Sequence, residues 1–175
     1  MKNWGRVVMI SMMMACCVVA ALAQGNPRGK SALTLKGKAV SVEFGRPALK
    51  GRTTDALLGR LNAGGIWRLG ADTSTTFKTD LDLVFGDVTI PAGEYSIWMQ
   101  RQADNSWKLL FDKKHGQWGE PTPEPADCFA SVPLAESRPA APVELVTLTL
   151  AKASGGGTLT IQWGTLEAAA KFKAK

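Results

Sequence analysis

The sequence predicts a mostly-β protein: a single-domain antiparallel β-sandwich or open barrel with one short helix. Three observations support this fold class. Apolar and polar residues alternate with period two in several short runs, tight-turn residues separate those runs, and helical periodicity is scarce. Short strands at close spacing, joined by tight turns, are typical of sandwiches and barrels.

The first 23 residues have the pattern of a cleavable secretory signal peptide. Lys2 and Arg6 give a positive start, residues 7–21 are apolar, and Ala21-Leu22-Ala23 is a small-x-small cleavage pattern. The alternative is a lipid or membrane anchor, but the apolar run falls short of the roughly 20 residues of a membrane span. We therefore expect cleavage after Ala23, export to the periplasm or the extracellular space, and no stable membrane insertion afterwards.

Residues 24–175 are expected to form one domain, because about 150 residues suffice for a proper apolar core. Cys128 is the one cysteine of this part of the chain, so an internal disulfide is excluded and the core must supply the stability. Its neighbours predict a short strand over residues 128–132, in which the thiol is a small buried group rather than a reactive one.

Four predicted strands each have one apolar face. These faces comprise Val40, Val42 and Phe44; Tyr95, Ile97 and Met99; Trp107, Leu109 and Phe111; and Leu159, Ile161 and Trp163. Trp98 lies on the opposite face of its strand, so either it is exposed or that strand is covered on both sides. Residues 143–150 are more continuously apolar, which predicts a central strand.

Turn residues separate the predicted strands. Gly86-Asp87 suits a two-residue hairpin, Pro91 favours a turn over residues 90–93, and residues 103–106 and 154–157 predict two further hairpin loops. The short helix is expected within residues 53–61, with Thr53 or Thr54 as its N-cap. Residues 167–171, EAAAK, have high helix propensity, yet they follow a predicted strand closely and five residues make a marginal helix. A closing edge strand is favoured there.

Six sequence blocks together resemble a known family. They are VSVEFGRP (40–47), LKGR (49–52), IWRLGAD (66–72), TTF (75–77), IPAGEYS (90–96) and GQWG (116–119). Their order and spacing resemble the bacterial domain-of-unknown-function family 2911 over about residues 31–173. The resemblance implies an exported, single-domain, β-rich protein and no particular activity.

The loop over residues 45–52 contains three cations and no acid, between glycine and proline residues. Guanidinium groups bind carboxylates and phosphates in bidentate fashion, so Arg46 and Arg52 could form an anion subsite. The alternatives are a solvated basic loop, or Arg46 paired with a structural acid such as Glu43 or Asp72.

Two further blocks carry polar and aromatic candidates. Arg68 and Asp72 could line a polar pocket with Trp67 as an aromatic wall, or they could neutralise each other as a structural ion pair. Trp118, between glycines, could present its ring as sugar-binding platforms do. His115 is the single histidine of the chain and the simplest general base, although an exposed loop position is the more ordinary interpretation.

The favoured hypothesis is a non-enzymatic binding module for a small anionic or carbohydrate-like ligand. Its candidate contacts are Arg46, Arg52, Trp67, Arg68, Asp72 and Trp118. The alternatives are a hydrolase that uses Asp72 or His115, and a structural domain of the cell envelope. No catalytic or nucleotide motif is present, the ligands for a zinc site are too few, and neither metal nor cofactor is expected. The net charge of +6 comes without a basic tract, so nucleic acid is not an expected partner.

Overall fold

The computed structural model describes residues 25–175, so the predicted signal peptide lies outside the described residues. This part of the chain folds into thirteen strands, one α-helix and one 3-10 helix. The strands are β1 (Arg28–Leu35), β2 (Lys38–Gly45), β3 (Ile66–Trp67), β4 (Thr76–Thr79), β5 (Leu83–Phe85), β6 (Val88–Ile90), β7 (Gly93–Arg101), β8 (Trp107–Asp112), β9 (Ala130–Pro133), β10 (Ala135–Ser137), β11 (Val143–Ala153), β12 (Gly156–Gly164) and β13 (Leu166–Ala174). The helix α1 (Thr54–Leu58) follows β2, and the 3-10 helix (Pro125–Asp127) precedes β9.

The strands form two antiparallel sheets. The first sheet has the order β1-β2-β4-β7-β8-β9, with β3 added to β7, and the second has the order β11-β12-β13-β5-β6, with β10 added to β13. Both sheets contribute side chains to one apolar core. Phe85 of the second sheet, for example, lies 5.6 Å from Phe111 of the first and 5.1 Å from Phe172, measured between ring centroids. The mostly-β, antiparallel sandwich predicted from sequence is confirmed, and the two sheets do not close into a barrel.

The predicted apolar faces point into this core. All twelve residues predicted to face inward on the four alternating strands are buried. Trp98, on the other face of β7, is also fully buried, so this strand is covered on both sides. Both faces of β7 are buried at its centre, so apolar and polar residues no longer alternate at Trp98.

The predicted turns and the helix are present. Gly86-Asp87 joins β5 to β6 with Gly86 at φ 58°, and residues 103–106 join β7 to β8. The helix is shorter than the predicted span, and Thr53 is its N-cap, with the side-chain oxygen accepting the Ala56 N–H at 3.1 Å. Within residues 25–175, no helix is long and apolar enough to cross a membrane.

The positions of two predicted strands within their sheet differ from expectation. The EAAAK segment is a strand, β13, as favoured, but it is not an edge strand, because β12 pairs with one side of it and both β5 and β10 pair with the other. Ala168, Ala170 and Phe172 point inward and are buried. Burial of this face in the sandwich overrides the helix propensity of the alanines.

Strand β11, predicted to be central, is instead the end strand of its hydrogen-bonded order. Its outer edge is covered by the first sheet, where Ser31 Oγ accepts the Leu150 N–H at 2.9 Å. The buried side chains of residues 143–150 are Val146, Leu148 and Leu150, which share one face of the strand.

A short junction, here called the seam, joins the two sheets. Residues 46–49 follow β2 and pair with residues 144–147 at the start of β11. The Leu49 N–H donates to the Glu144 carbonyl at 3.0 Å, and the Val146 N–H donates to the Pro47 carbonyl at 3.1 Å. A β-bridge between Ala48 and Leu145 lies between these bonds. The seam therefore connects the end of β2 in one sheet to β11 in the other.

The prediction for Cys128 was partly wrong. The residue lies at the end of the 3-10 helix, and the strand β9 begins only at Ala130, after Phe129. The Cys128 N–H donates to the Pro125 carbonyl at 3.3 Å, which keeps this residue in the turn rather than the sheet. Its side chain is partly rather than fully buried.

The close approach of Gly45 to Ala71 leads to a stability prediction. A Cβ atom at Gly45 would collide with the backbone of Ala71, so Gly45→Ala forces the two segments apart. We expect a loss of about 2–3 kcal/mol in the free energy of unfolding, measured by urea denaturation. The control is Gly37→Ala, where φ is 74° and the space is open, so only backbone strain of about 1 kcal/mol is expected. Equal losses in the two variants would contradict the steric argument.

Candidate functional site

The loop of residues 68–75 follows β3 and is held at both ends. The Thr75 hydroxyl donates to the Leu69 carbonyl at 2.9 Å, and Ala71 packs against the backbone of Gly45. Leu69 and Asp72 both adopt positive φ, 55° and 63°, so the loop bends sharply twice. The hydrogen bond and the contact with β2 hold these bends in place.

Asp72 is a structural anchor of this loop. Its Oδ2 accepts hydrogen bonds from the Asn26 backbone N–H at 3.1 Å and from the Asn26 side chain at 3.3 Å. The ion pair with Arg68 that the sequence suggested is not formed within residues 25–175. The carboxylate instead ties the start of the described chain to the loop.

Trp118 is carried by a backbone segment that pairs with the same loop. The Ser74 N–H donates to the Gln117 carbonyl at 2.9 Å, the Gly119 N–H donates to the Asp72 carbonyl at 2.8 Å, and a β-bridge joins Thr73 to Trp118. The backbone at Trp118 is therefore hydrogen-bonded on both sides, while its side chain is 59% exposed.

Arg46 makes its contacts at the seam. Its Nε donates to the Val146 carbonyl at 3.1 Å and its terminal nitrogen to Thr147 Oγ1 at 3.2 Å. The suggested pairing of Arg46 with Glu43 or Asp72 is not formed among the described residues. Glu43 pairs with a lysine of β1 at 2.7 Å instead, and that hydrogen bond lowers the pKa of the Glu43 carboxyl below its ordinary value.

The other two predicted arginines separate. Arg52 donates to the carbonyl groups of Leu49 at 2.9 Å and Ala48 at 3.2 Å, so it also belongs to the seam. The stem of Arg68 lies against Gly119, where an added Cβ would stand 3.0 Å from its Cδ. The structure thus places Arg68 beside Gly119, the residue after Trp118, whereas the side-chain hydrogen bonds of Arg46 and Arg52 go to the seam.

Trp67 lies in the core. Its ring stacks on that of Trp163 with centroids 5.4 Å apart and planes 11° from parallel, and only 8% of the residue is exposed. The stacked pair joins β3 of the first sheet to β12 of the second. Trp67 therefore packs one sheet against the other at this point.

A groove of about 680 Å³ opens beside Trp118. Besides the indole ring, its walls include one lysine and four carboxylates: Lys114, Asp112, Glu120, Glu124 and Asp127. None of these five residues was predicted from sequence. For Glu120, Glu124 and Asp127 the signal is the run of prolines and acids directly after Trp118-Gly119, whereas Asp112 and Lys114 precede that run.

The residues suggested for a hydrolase lie outside this groove. Neither Asp72 nor His115 is among its lining residues. The exposed His115 ring has its Nδ1 3.5 Å from Oε1 of Glu94, and Oε2 of the same carboxylate lies 3.9 Å from Lys78 Nζ. In the part of the chain described, no group of three or more His, Cys, Asp or Glu is arranged to hold a metal ion.

Cys128 lies close to two of the groove's acids. Burial, together with the negative charges of Asp112 and Asp127, raises the pKa of its thiol to about 11. Both effects disfavour the thiolate, which is the reactive form. The sequence-based preference for an inert thiol agrees with this environment.

The fold and the groove define an all-β sandwich domain with one strongly exposed tryptophan on a hydrogen-bonded loop. The chain belongs to the family described as "Protein of unknown function (DUF2911)", whose model matches residues 26–172. The family resemblance noted from six sequence blocks is thereby confirmed. Comparisons with curated proteins and with solved structures gave no match.

We predict that Arg46 contributes to stability through the seam. Arg46→Ala removes two charge-assisted hydrogen bonds at a partly buried position, so the free energy of unfolding should fall by about 2–3 kcal/mol in urea denaturation. Arg52→Ala is the matched control, because its bonds are local and the side chain is more exposed. A loss of less than about 1 kcal/mol is expected there. A neutral Arg46→Ala with impaired ligand binding would instead support the anion subsite.

We also predict slow alkylation of Cys128. With a thiol pKa of about 11, the thiolate fraction at neutral or mildly alkaline pH is about 100-fold lower than for a thiol of pKa 9. The rate with iodoacetamide should rise about tenfold per pH unit up to that pKa, provided that the fold persists. A cysteine-containing peptide is the control. A rate equal to that of the peptide at pH 8 would contradict the burial and charge argument.

Proposed function

We propose that this domain is a non-enzymatic binding module that holds a carbohydrate-like ligand in the groove beside Trp118. The observation that carries the proposal is the exposure of this one ring. Trp118 is 59% exposed, whereas the other four tryptophans of residues 25–175 are each at most 8% exposed. The Trp118 ring is thus open to solvent while the backbone on either side of it is held by hydrogen bonds. A large exposed aromatic surface indicates a contact site.

The chemistry of the groove suits a sugar. The C–H face of a pyranose ring packs on an aromatic ring, and carboxylate and amide oxygens accept hydrogen bonds from its hydroxyl groups. Gln117 and the four carboxylates supply such acceptors around Trp118. The volume of about 680 Å³ also lies in the range of small-ligand sites.

The charge of the groove favours a carbohydrate over an anion. Four carboxylates face one lysine there, so an anionic ligand would be repelled. Arg46 and Arg52, the candidates for anion binding, donate to carbonyl and hydroxyl groups of the protein itself. Of the two ligand classes suggested by sequence, the carbohydrate-like class therefore has the stronger support.

Export is part of this proposal. The composition of residues 1–23 supports secretion, and secretion would place the groove among the glycans of a cell envelope or its surroundings. The groove itself supports binding rather than hydrolysis, since the two residues suggested as catalytic groups do not line it.

Replacing the exposed indole tests the proposal. The wild-type protein is screened against immobilised oligosaccharides, and the hits are measured by titration calorimetry. Trp118→Ala should weaken binding at least tenfold, because the stacking surface is lost, while Trp118→Phe should retain part of the affinity. The melting temperature should change little, since the side chain makes few core contacts.

A second exposed aromatic provides the control. Phe129 is 36% exposed and does not line the groove, so Phe129→Ala should leave sugar affinity unchanged. Failure of the wild-type protein to bind any oligosaccharide would refute the proposal, as would equal binding by the wild type and Trp118→Ala.

A further inference from the structure

The groove beside Trp118 is acidic in a chain that is basic overall. The formal net charge of the whole sequence is +6, yet four carboxylates and a single lysine line this groove. The acids come from two separate parts of the chain, the end of β8 and the loop around the 3-10 helix. Three of the four acids lie within residues 120–127, and the fold adds Asp112 to them.

Asp112 is the buried member of this set. It is the last residue of β8, opposite Ser96 in the register, and only 8% of it is exposed. Its Oδ1 accepts the backbone N–H of Lys114 at 2.9 Å. Within residues 25–175, its Oδ2 accepts no hydrogen bond, and no cationic group lies within ion-pair distance of either oxygen.

This carboxylate has one oxygen free for a donor. Within residues 25–175, the buried side-chain atoms without a hydrogen-bond partner are the indole nitrogens of Trp98 and Trp163, so Oδ2 of Asp112 is open to the groove rather than enclosed in the protein. A donor can therefore reach the carboxylate from that side. A ligand ammonium group would supply both a positive charge and the N–H donors.

The distribution of the acids disfavours a metal ion and favours an extended organic cation. Metal sites require several ligand atoms around one point, with Ca²⁺ at about 2.3–2.6 Å from each oxygen. No group of three or more potential ligands is so arranged in residues 25–175. Carboxylates spread along a groove are instead complementary to positive charges spread along a chain.

We propose that the preferred ligand is an oligosaccharide of amino sugars with free, protonated amino groups. One ring stacks on Trp118 and an ammonium group binds Asp112, while the outer carboxylates of Glu120 and Glu124 attract the remaining charges. An indole ring suits such a ligand twice, because it stacks on the sugar and also attracts cations through its π face. This inference rests on the proposed function and specifies its substrate class.

The test compares three tetrasaccharides of the same length by titration calorimetry at low ionic strength: glucosamine, N-acetylglucosamine and glucose oligomers. The glucosamine oligomer should bind at least tenfold more tightly than either neutral oligomer. Raising the salt concentration from about 50 to about 500 mM should weaken the binding of the glucosamine oligomer alone, because screening acts on the charge term.

Asp112→Asn isolates the buried charge, since the amide oxygen can still accept the Lys114 N–H. This variant should bind the glucosamine oligomer at least tenfold more weakly and the neutral oligomers only slightly more weakly, because the amide oxygen still accepts a hydrogen bond from a hydroxyl group. Asp80→Asn, an exposed acid outside the groove, is the matched control and should behave as wild type. Should Asp112→Asn fail to fold, Glu120→Gln at the exposed rim should still lower the preference for glucosamine several-fold.

The contrary outcomes separate the two proposals. Equal affinity for the three oligomers would overturn the amino-sugar inference and leave the carbohydrate proposal standing. Binding of a linear polyamine as tightly as the glucosamine oligomer would overturn the inference as well, because charge alone would then suffice. Absence of binding to all three oligomers, together with no effect of Trp118→Ala in the wider screen, would refute both.

Discussion

The hydrogen-bonded seam between residues 46–49 and 144–147 is the constraint on which the rest of the structure depends. It joins the end of β2 in one sheet to β11 in the other, and Arg46 reinforces it from the side. Because β2 ends there, Gly45 has a fixed position, and its bare backbone lets Ala71 approach closely. Ala71 belongs to the loop of residues 68–75, which also contains Asp72. The Asp72 carbonyl accepts the N–H of Gly119, the residue after Trp118. A chain of backbone contacts thus runs from the seam to the groove.

This arrangement divides the conspicuous residues between two tasks. Arg46 and Trp67 join the two sheets through hydrogen bonds or a ring contact, and Arg52 bonds to carbonyl groups of its own loop. Trp118 has exposed ring surface, and Asp112 has an oxygen that accepts no hydrogen bond within residues 25–175; both residues line the groove. The sequence suggested a single basic and aromatic site, whereas the fold separates basic stabilising contacts from an acidic groove. Of the two ligand classes suggested by sequence, anionic and carbohydrate-like, the proposal therefore keeps the second and not the first.

Local patterns explain which features could be predicted from sequence. Alternating apolar residues revealed the strands, turn residues revealed the hairpins, and the flanking glycines of Trp118 indicated a presented ring, because each signal lies within a few residues. Sheet order could not be obtained in this way, since β13 takes a central place through pairing with β5, far away along the chain. The groove was missed for the same reason: Asp112 and Glu124 line one groove only because of the path of the backbone between them.

The central position of β13 also has a consequence for how the domain assembles. The hairpin of β5 and β6 pairs with β13, which is the last strand in chain order. Until β13 has formed, β5 has no strand partner in its sheet other than β6. Pairings between distant segments slow folding, and unpaired strand edges invite association with other chains. During synthesis from the amino end, the second sheet stays incomplete until residues 166–174 emerge. The domain is therefore expected to need shielding from self-association until that moment.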